Sequence, residues 1–169
     1  MTRLITPSIT AALIGAMTLL TACGPTPAVA SIADHVILVG TIRQAGVSIE
    51  LNSDVCQQFP IYGAYFHKQA RLVLCSKGST EEKLDTLRHE AWHLVQDLQD
   101  CDLLDDGLKP YGQIPKEAID HFRRISGGNY EEKDLATEVE AYAAAETLSA
   151  KDITSYIRTL IASCNANNR

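Results

Sequence analysis

Apolar residues change their spacing along the first half of the chain. Between Ser31 and Ala45 they recur at the spacing of a helix, whereas residues 47–51 alternate strictly and predict a strand. Two further apolar runs, 63–66 and 71–75, flank a short polar stretch and predict a hairpin. We therefore expect one helix followed by a small sheet that is antiparallel in its second half.

A longer amphipathic helix is predicted to begin after Ser79. Ser79 and Glu82 have the spacing of a capping box, and the helix should run to about Leu98. His89 and His93 project from the side roughly opposite its apolar residues, which are Leu84, Leu87, Ala91, Leu94, Val95 and Leu98. One face of this helix is expected to pack on the sheet, and the other is expected to face a polar space.

The second half of the chain is predicted to be mostly helical. After a loop at residues 100–112, helices are expected at 115–125, 131–148 and 152–164. The predicted fold class is α+β, with a small N-terminal sheet packed on the histidine-bearing helix and a helical C-terminal half. This single domain should span residues 32–164, followed by a polar tail at 165–169.

The charge of the chain argues against nucleic acid as a partner. It carries 15 Lys and Arg against 21 Asp and Glu, a formal net charge of −6. Loss of the first 22 residues would remove Arg3 and give 14 − 21 = −7. Such a surface repels phosphate backbones, and the sequence has no basic stripe with interleaved aromatic residues.

The N-terminus has the pattern of an export signal. Arg3 is followed by a mostly apolar run from Ala11 to Leu20, which is too short for a transmembrane helix. Leu20-Thr21-Ala22-Cys23 matches the cleavage box of bacterial lipoproteins, which predicts a signal peptide at 1–22 and lipid on Cys23. Residues 23–31 are then a tether. The expected location is the bacterial cell envelope, where the lipid anchors the protein to a membrane at its periplasmic or outer face.

Four cysteines remain if Cys23 carries lipid. An even number in an exported chain predicts two disulfides, with three possible connectivities. We favour Cys56–Cys75 and Cys101–Cys164, because each pair would close a substructure on one side of the central helix. A cysteine-based zinc site is poorly supported, since the chain has no C-x₂-C spacing.

The sequence His89-Glu90-Ala91-Trp92-His93 lies within the capped helix. Its spacing puts two imidazoles one turn apart on the same face, where they can bind one Zn²⁺. Glu90 lies beside them and is the predicted general base toward the water that the metal acidifies. Two exposed surface histidines are the alternative interpretation of the pattern.

A catalytic zinc usually takes a third protein ligand. The histidine that some zinc peptidases carry six residues after the second one is absent, because Gln99 stands there. Glu138 and Glu140 in the helix 131–148 are the candidates, and the helical projection allows only one of them to face inward. We favour Glu138, with Glu140 as the alternative if the helix is rotated.

In these motifs the chain resembles the gluzincins, zinc peptidases with two histidines from HExxH and a glutamate from a later helix. Residues 89–93 match the first motif, and Glu138-Val139-Glu140-Ala141 matches the Glu-x-x-Ala pattern of compact members. The resemblance implies a minimal zincin fold and hydrolysis of peptide bonds in peptide or protein substrates. Tyr142 stands where compact members often carry an Asp or Asn that orients a zinc ligand. The orientation must then be secured otherwise, for which backbone carbonyls are the candidates.

The resemblance also leaves choices open. Tyr111, His121, Tyr130 and Tyr142 are candidate donors to the oxyanion, and the strand at 71–75 is a candidate for pairing with an extended substrate. The alternative function is a non-catalytic envelope lipoprotein that uses zinc for binding or structure. Zinc-dependent amidase action on cell-wall peptides is a third hypothesis.

Overall fold

The computed structural model describes residues 32–101, 108–126 and 130–167. Within these ranges the protein has α+β architecture, as the sequence predicts. The predicted signal peptide (1–22), the tether (23–31) and Cys23 lie outside the described residues, as do the last two residues of the predicted tail. None of the helices in the three described ranges is long and apolar enough to cross a membrane.

The sheet has three strands: β1 (Ser48–Leu51), β2 (Gly63–Phe66) and β3 (Arg71–Leu74). Their order is β1-β3-β2, so that β3 is the central strand. β2 pairs antiparallel with β3 through a hairpin, and β1 pairs with β3 in parallel. Strand addition at 71–75 is therefore a wrong prediction, because both edges of β3 already carry a strand.

Within the described ranges the α-helices follow the predicted order, with one short α-helix and two 3-10 turns (His67–Gln69 and Leu98–Asp100) added. They are α1 (Ile32–Gln44), α2 (Val55–Gln58), α3 (Thr80–Asp97), α4 (Lys116–Ile125), α5 (Leu135–Thr147) and α6 (Ala150–Asn167). The last helix extends beyond its predicted end at 164. The predicted polar tail is thus helical as far as it is described.

Helix α3 starts as its sequence predicts. The Ser79 side chain accepts a hydrogen bond from the Glu82 amide at 3.2 Å, and the Glu82 carboxylate accepts one from the Ser79 amide at 2.6 Å. The two histidines face a cleft, as predicted, but the polar face does not continue as an exposed one, because every residue from Glu90 to Leu98 is buried. The reason is tertiary, since β2, α5 and α6 all pack against this helix.

The core lies around α3 and joins all layers of the fold. Side chains from α1, β3, α3 and α6 are fully buried there, including Leu38, Ile42, Leu72, Leu94, Ile153 and Ile157. Burial of each such side chain stabilises the fold by roughly 1.5–3 kcal/mol. Helix α3 is therefore anchored in the core, which fixes the backbone positions of its histidines.

The described residues contain two disulfides, and these have the pairing that we favoured. Cys56–Cys75 joins α2 to the end of β3. Cys101–Cys164 joins the end of α3 to α6. One bridge thus links two segments at the edge of the sheet, and the other links the segment after α3 to the C-terminal helix.

Candidate metal centre

The two histidines of α3 face each other across one helical turn. The Nε2 atoms of His89 and His93 lie 3.2 Å apart. Their rings are nearly perpendicular, with centroids 4.8 Å apart. His93 is buried, and both side chains line a cleft. Two imidazole nitrogens thus point at one small volume.

Helix α5 brings Glu138 to this histidine pair. Its Oε2 lies 3.4 Å from His89 Nε2, and its Oε1 lies 3.4 Å from His93 Nε2. Of the two glutamates that the sequence left open, Glu138 is the one beside the imidazoles. Glu140 lies on another side of α3, as described below.

The spacing of these donor atoms fits a zinc ion. Ligands about 2.0–2.1 Å from a tetrahedral metal are separated from one another by roughly 3.3 Å. The distances between the donors here are 3.2 Å for the two nitrogens and 3.4 Å from each nitrogen to a different oxygen of Glu138, so that the carboxylate spans the pair. The set of two nitrogens and a carboxylate is also one that zinc prefers. His89, His93 and Glu138 could therefore hold the metal.

Glu90 is a second carboxylate near the histidines. The potential ligand atoms of His89, Glu90 and His93 all lie within 4.8 Å of one another, so Glu90 could also be a ligand. We favour Glu138 for the third position because it lies close to both rings. The Glu90 carboxylate instead accepts a hydrogen bond from the Tyr65 backbone, which draws it toward the sheet.

Burial and the neighbouring charges shift the pKa values of three side chains in the site. Burial raises the pKa of Glu90, although the His89 and His93 charges oppose this shift. Burial alone would lower the pKa of His93, but the hydrogen bond to Glu138 and the negative charges of Glu90 and Glu138 raise it to about 9. Burial would raise the pKa of Glu138, but its contacts with both histidines lower it to about 2. The cluster thus holds a carboxylate that stays charged beside one that resists charging.

The two imidazoles are oriented by different means. His93 Nδ1 lies 2.8 Å from Gln96 Oε1, so a side chain of the same helix holds this ring. His89 Nδ1 is buried and has no hydrogen-bond partner among the described residues, while the Tyr142 ring packs against this imidazole at 4.4 Å. The suggestion that backbone carbonyls orient the rings is thus wrong for His93.

Glu140 is buried beside Trp92 and Gln96 of α3, on a face next to that of the histidine pair. Its carboxylate accepts four hydrogen bonds, from Trp92 Nε1 at 3.1 Å, Gln96 Nε2 at 2.8 Å, and the amides of Tyr111 at 2.7 Å and Gly112 at 2.6 Å. The prediction that only one of the two glutamates faces inward is wrong. Helix α5 lies against α3 and the segment before α4, so that two of its flanks are covered.

The histidine pair lies in a cleft of about 1370 Å³ between the sheet and the helices. Tyr130 and Tyr142 line it, and their hydroxyl oxygens are 3.4 Å apart. Burial and the neighbouring Tyr142 hydroxyl raise the pKa of Tyr130, which therefore keeps its proton. The other two candidate donors lie elsewhere: Tyr111 packs on Trp92 with ring centroids 6.0 Å apart, and His121 is exposed on α4.

Strand β2 forms the wall of the cleft beside Glu90. A methyl group added at Gly63 would lie 2.6 Å from Thr86 Cγ2 and 3.1 Å from Glu90 Oε1. Glycine therefore lets the strand approach α3 closely, and this approach places the Tyr65 amide against Glu90. No other strand in the described ranges pairs with the outer edge of β2.

Gln96 and Gly63 were not identified from the sequence as parts of the site. Gln96 could have been found, because it lies three residues after His93 and so shares its helix face. Gly63 had no such signal, since its role depends on how β2 meets α3. The chain matches no protein-family model, no curated protein and no solved structure.

Proposed function

We propose that this protein is a zinc-dependent peptidase of the minimal gluzincin type. The observation that carries the proposal is the convergence of His89, His93 and Glu138 at distances of 3.2–3.4 Å, with Glu90 beside them. A further support is the order of elements, in which a small sheet precedes a helix bearing HExxH and a helical second half carries the glutamate. Bound zinc would acidify a water molecule and polarise the substrate carbonyl.

Glu90 acts as general base and then as general acid in this proposal. Burial raises its pKa above that of an ordinary carboxyl, which makes it a stronger base toward the attacking water. It takes a proton from the attacking water and returns it to the nitrogen of the leaving amine. The Tyr65 backbone hydrogen bond keeps the carboxylate oriented during both transfers. Tyr130 and Tyr142 are the hydroxyl donors in the cleft that could bind the developing oxyanion.

An extended peptide can bind along the free edge of β2. The amide of Cys75 bonds to the carbonyl of Tyr62 at 2.8 Å, and Ala64 is paired with Val73. Because backbone groups alternate between the two edges of a strand, Gly63 and Tyr65 point their backbone groups away from β3. The Tyr65 amide bonds to Glu90, so a substrate would pair with the Gly63 backbone and the Tyr65 carbonyl. A substrate strand added there would run past Glu90 and the histidine pair.

The alternative function is a lipoprotein that binds zinc without catalysis. It is favoured by the position of Glu90, which is close enough to the histidines to serve as a fourth ligand and close the site. Structural zinc sites usually have four protein ligands, whereas catalytic sites usually have three. The two functions therefore assign different roles to the same carboxylate.

The test compares wild type with Glu90→Gln. Zinc content, zinc affinity and cleavage of casein and a mixed peptide library are measured for both proteins. If Glu90 is the base, the variant retains zinc but loses cleavage by roughly 10²–10⁴-fold. If Glu90 is a ligand, the variant loses zinc affinity, and the wild type cleaves nothing. Mass spectrometry of the products also distinguishes peptide bonds of proteins from the amide bonds of cell-wall peptides.

Anchoring in the bacterial envelope is part of the proposal. Its support is the lipoprotein cleavage box at Cys23 together with two disulfides, which are typical of oxidising compartments. Labelling of the full chain in bacteria with an alkyne fatty acid should mark the wild type and not Cys23→Ser. Equal labelling of both proteins would contradict the anchor and leave the peptidase proposal untouched.

A further inference from the structure

The carboxylate of Glu140 is bound in the manner of a structural acceptor. Its exposed fraction is 9%, and its partners are two side-chain N–H groups and two backbone amides. A buried carboxylate is tolerated when such donors replace its hydration. Every one of these donors is electrically neutral, so that no positively charged side chain among them pairs with the carboxylate. Glu140 is therefore a fixed acceptor beside α3.

This acceptor determines how the Gln96 amide is oriented. One N–H of Gln96 Nε2 donates to Glu140 Oε2 at 2.8 Å, and the Thr137 carbonyl accepts the other at 3.0 Å. A flipped amide would put its oxygen against these two oxygens, which would repel it. The Gln96 oxygen must therefore face the other way, toward His93 Nδ1.

The orientation of Gln96 in turn selects a tautomer of His93. Since Gln96 Oε1 can only accept, the Nδ1 atom 2.8 Å away must carry a hydrogen and donate it. A neutral His93 then has its lone pair on Nε2, the atom that faces His89 Nε2 and Glu138 Oε1. The side chains of Glu140, Gln96 and His93 are thus linked in series, and the Glu140 carboxylate determines which His93 nitrogen carries the lone pair.

We propose that Gln96 and Glu140 are positioning residues that prepare His93 to bind metal through Nε2. The inference rests on the proposed zinc site and adds its means of preorganisation. Partners of this kind raise metal affinity because they fix the tautomer and the ring orientation before the metal arrives. Glutamine suits the position, since it accepts from His93 and donates to Glu140 through the same amide. A glutamate at 96 would put two carboxylates in contact.

The test measures zinc affinity of the full chain by competition with a chelating dye. Gln96→Leu keeps the approximate shape but removes the acceptor for His93, and it should weaken zinc binding roughly 10–100-fold. Gln99→Leu is the matched control, because Gln99 donates to the carbonyls of Gln96 and Lys109 and does not contact His93. Its zinc affinity should equal that of the wild type.

A spectroscopic measurement separates positioning from general loss of structure. In zinc-loaded wild type, long-range ¹H–¹⁵N spectra should show His93 with a hydrogen-bonded proton on Nδ1 that exchanges slowly with solvent. In Gln96→Leu this proton should exchange rapidly or shift, while the amide spectrum elsewhere stays that of a folded protein. A simple packing role for Gln96 would leave the Nδ1 proton unchanged.

The outcomes distinguish this inference from the proposed function. If wild type binds zinc and cleaves peptides, but Gln96→Leu has wild-type affinity and an unchanged Nδ1 proton, the positioning role is wrong and the peptidase stands. If wild type binds no zinc, both proposals are wrong. Weakened binding in Gln96→Leu alone, with the Nδ1 signal altered, supports the inference whether or not cleavage is detected.

Discussion

Two glutamates of α5, Glu138 and Glu140, lie against different faces of α3 and differ in their hydrogen-bond partners. On the cleft side, Glu138 lies between two imidazole nitrogens at 3.4 Å, and a neighbouring His89 nitrogen has no partner in the described part of the chain. On the other side, Glu140 is surrounded by four N–H donors at 2.6–3.1 Å. A carboxylate that already accepts four hydrogen bonds holds the groups around it in place. One that lies between titratable rings can itself bind a cation.

Replacing each glutamate by glutamine is the strongest test of whether Glu138 and Glu140 have different roles. Glu138→Gln should abolish cleavage and weaken zinc binding by more than the roughly 10–100-fold expected for an indirect contact. Glu140→Gln should weaken zinc binding by no more than that factor, because Glu140 acts on His93 only through Gln96. It should also lower the free energy of unfolding by about 1–3 kcal/mol, because an amide N–H₂ would face donors that need an acceptor. Zinc titration and urea unfolding of the chelator-treated proteins provide the two readouts. Equal effects of both variants on zinc would contradict the division of roles.

Gly63→Ala tests how closely the sheet must approach the cleft side of α3. The new methyl group would collide with Thr86 and crowd Glu90, so we expect a loss of about 1–3 kcal/mol in stability together with reduced cleavage. Gly40→Ala in α1 is the control, because a methyl group there meets nothing within 4 Å. It should be neutral or stabilising by up to about 1 kcal/mol. Similar losses in both variants would show that contact with α3 is not the cause.

The stability of the chelator-treated protein should depend on pH chiefly through two groups of the cleft side, His93 and Glu138. His93 has a raised pKa of about 9, so its contribution is complete below its unfolded value of 6.5 and is lost as the pH rises through 9. Glu138 has a lowered pKa of about 2, so its contribution is complete above 4.5 and is lost as the pH falls through 2.

Urea unfolding at a series of pH values should therefore show the largest contribution of this pair between pH 4.5 and 6.5. Glu90, whose pKa burial raises, adds to the loss on the alkaline side. Glu138→Gln should flatten the alkaline slope because His93 loses its main partner. Glu140→Gln should leave the slope in place, and a flattened slope in that variant would contradict the separation of the two sides.

The smallest effect is expected for the start of α3, which lies away from both glutamates. Ser79→Ala removes the acceptor for the Glu82 amide and should cost about 1 kcal/mol of stability. Zinc affinity and cleavage should remain those of the wild type, because the histidines lie more than two turns further along the helix. A change in zinc affinity would mean that fraying at the cap reaches the site.

Local signals in the sequence predicted the elements well, and contacts between elements account for what they missed. The capping box and the 3.6-residue period predicted α3 and the pairing of its histidines. The period of α5 could not separate Glu138 from Glu140, because it describes one buried face and this helix is covered on two flanks. The parallel pairing of β1 with β3 was likewise out of reach, since no local pattern encodes which strand is central.

The Cys101–Cys164 bridge has a consequence for when the site can assemble. It closes a loop of 63 residues that contains Glu138 and Glu140, while His89 and His93 lie just before it. In an unfolded chain such a bridge restricts the ensemble by about 4 kcal/mol in the chain-entropy description. Oxidation therefore keeps the segment with the carboxylates tethered close to the segment with the imidazoles before either is folded. A chain that is still reduced lacks this tether, so we expect it to gather the proposed zinc ligands less readily than the oxidised chain.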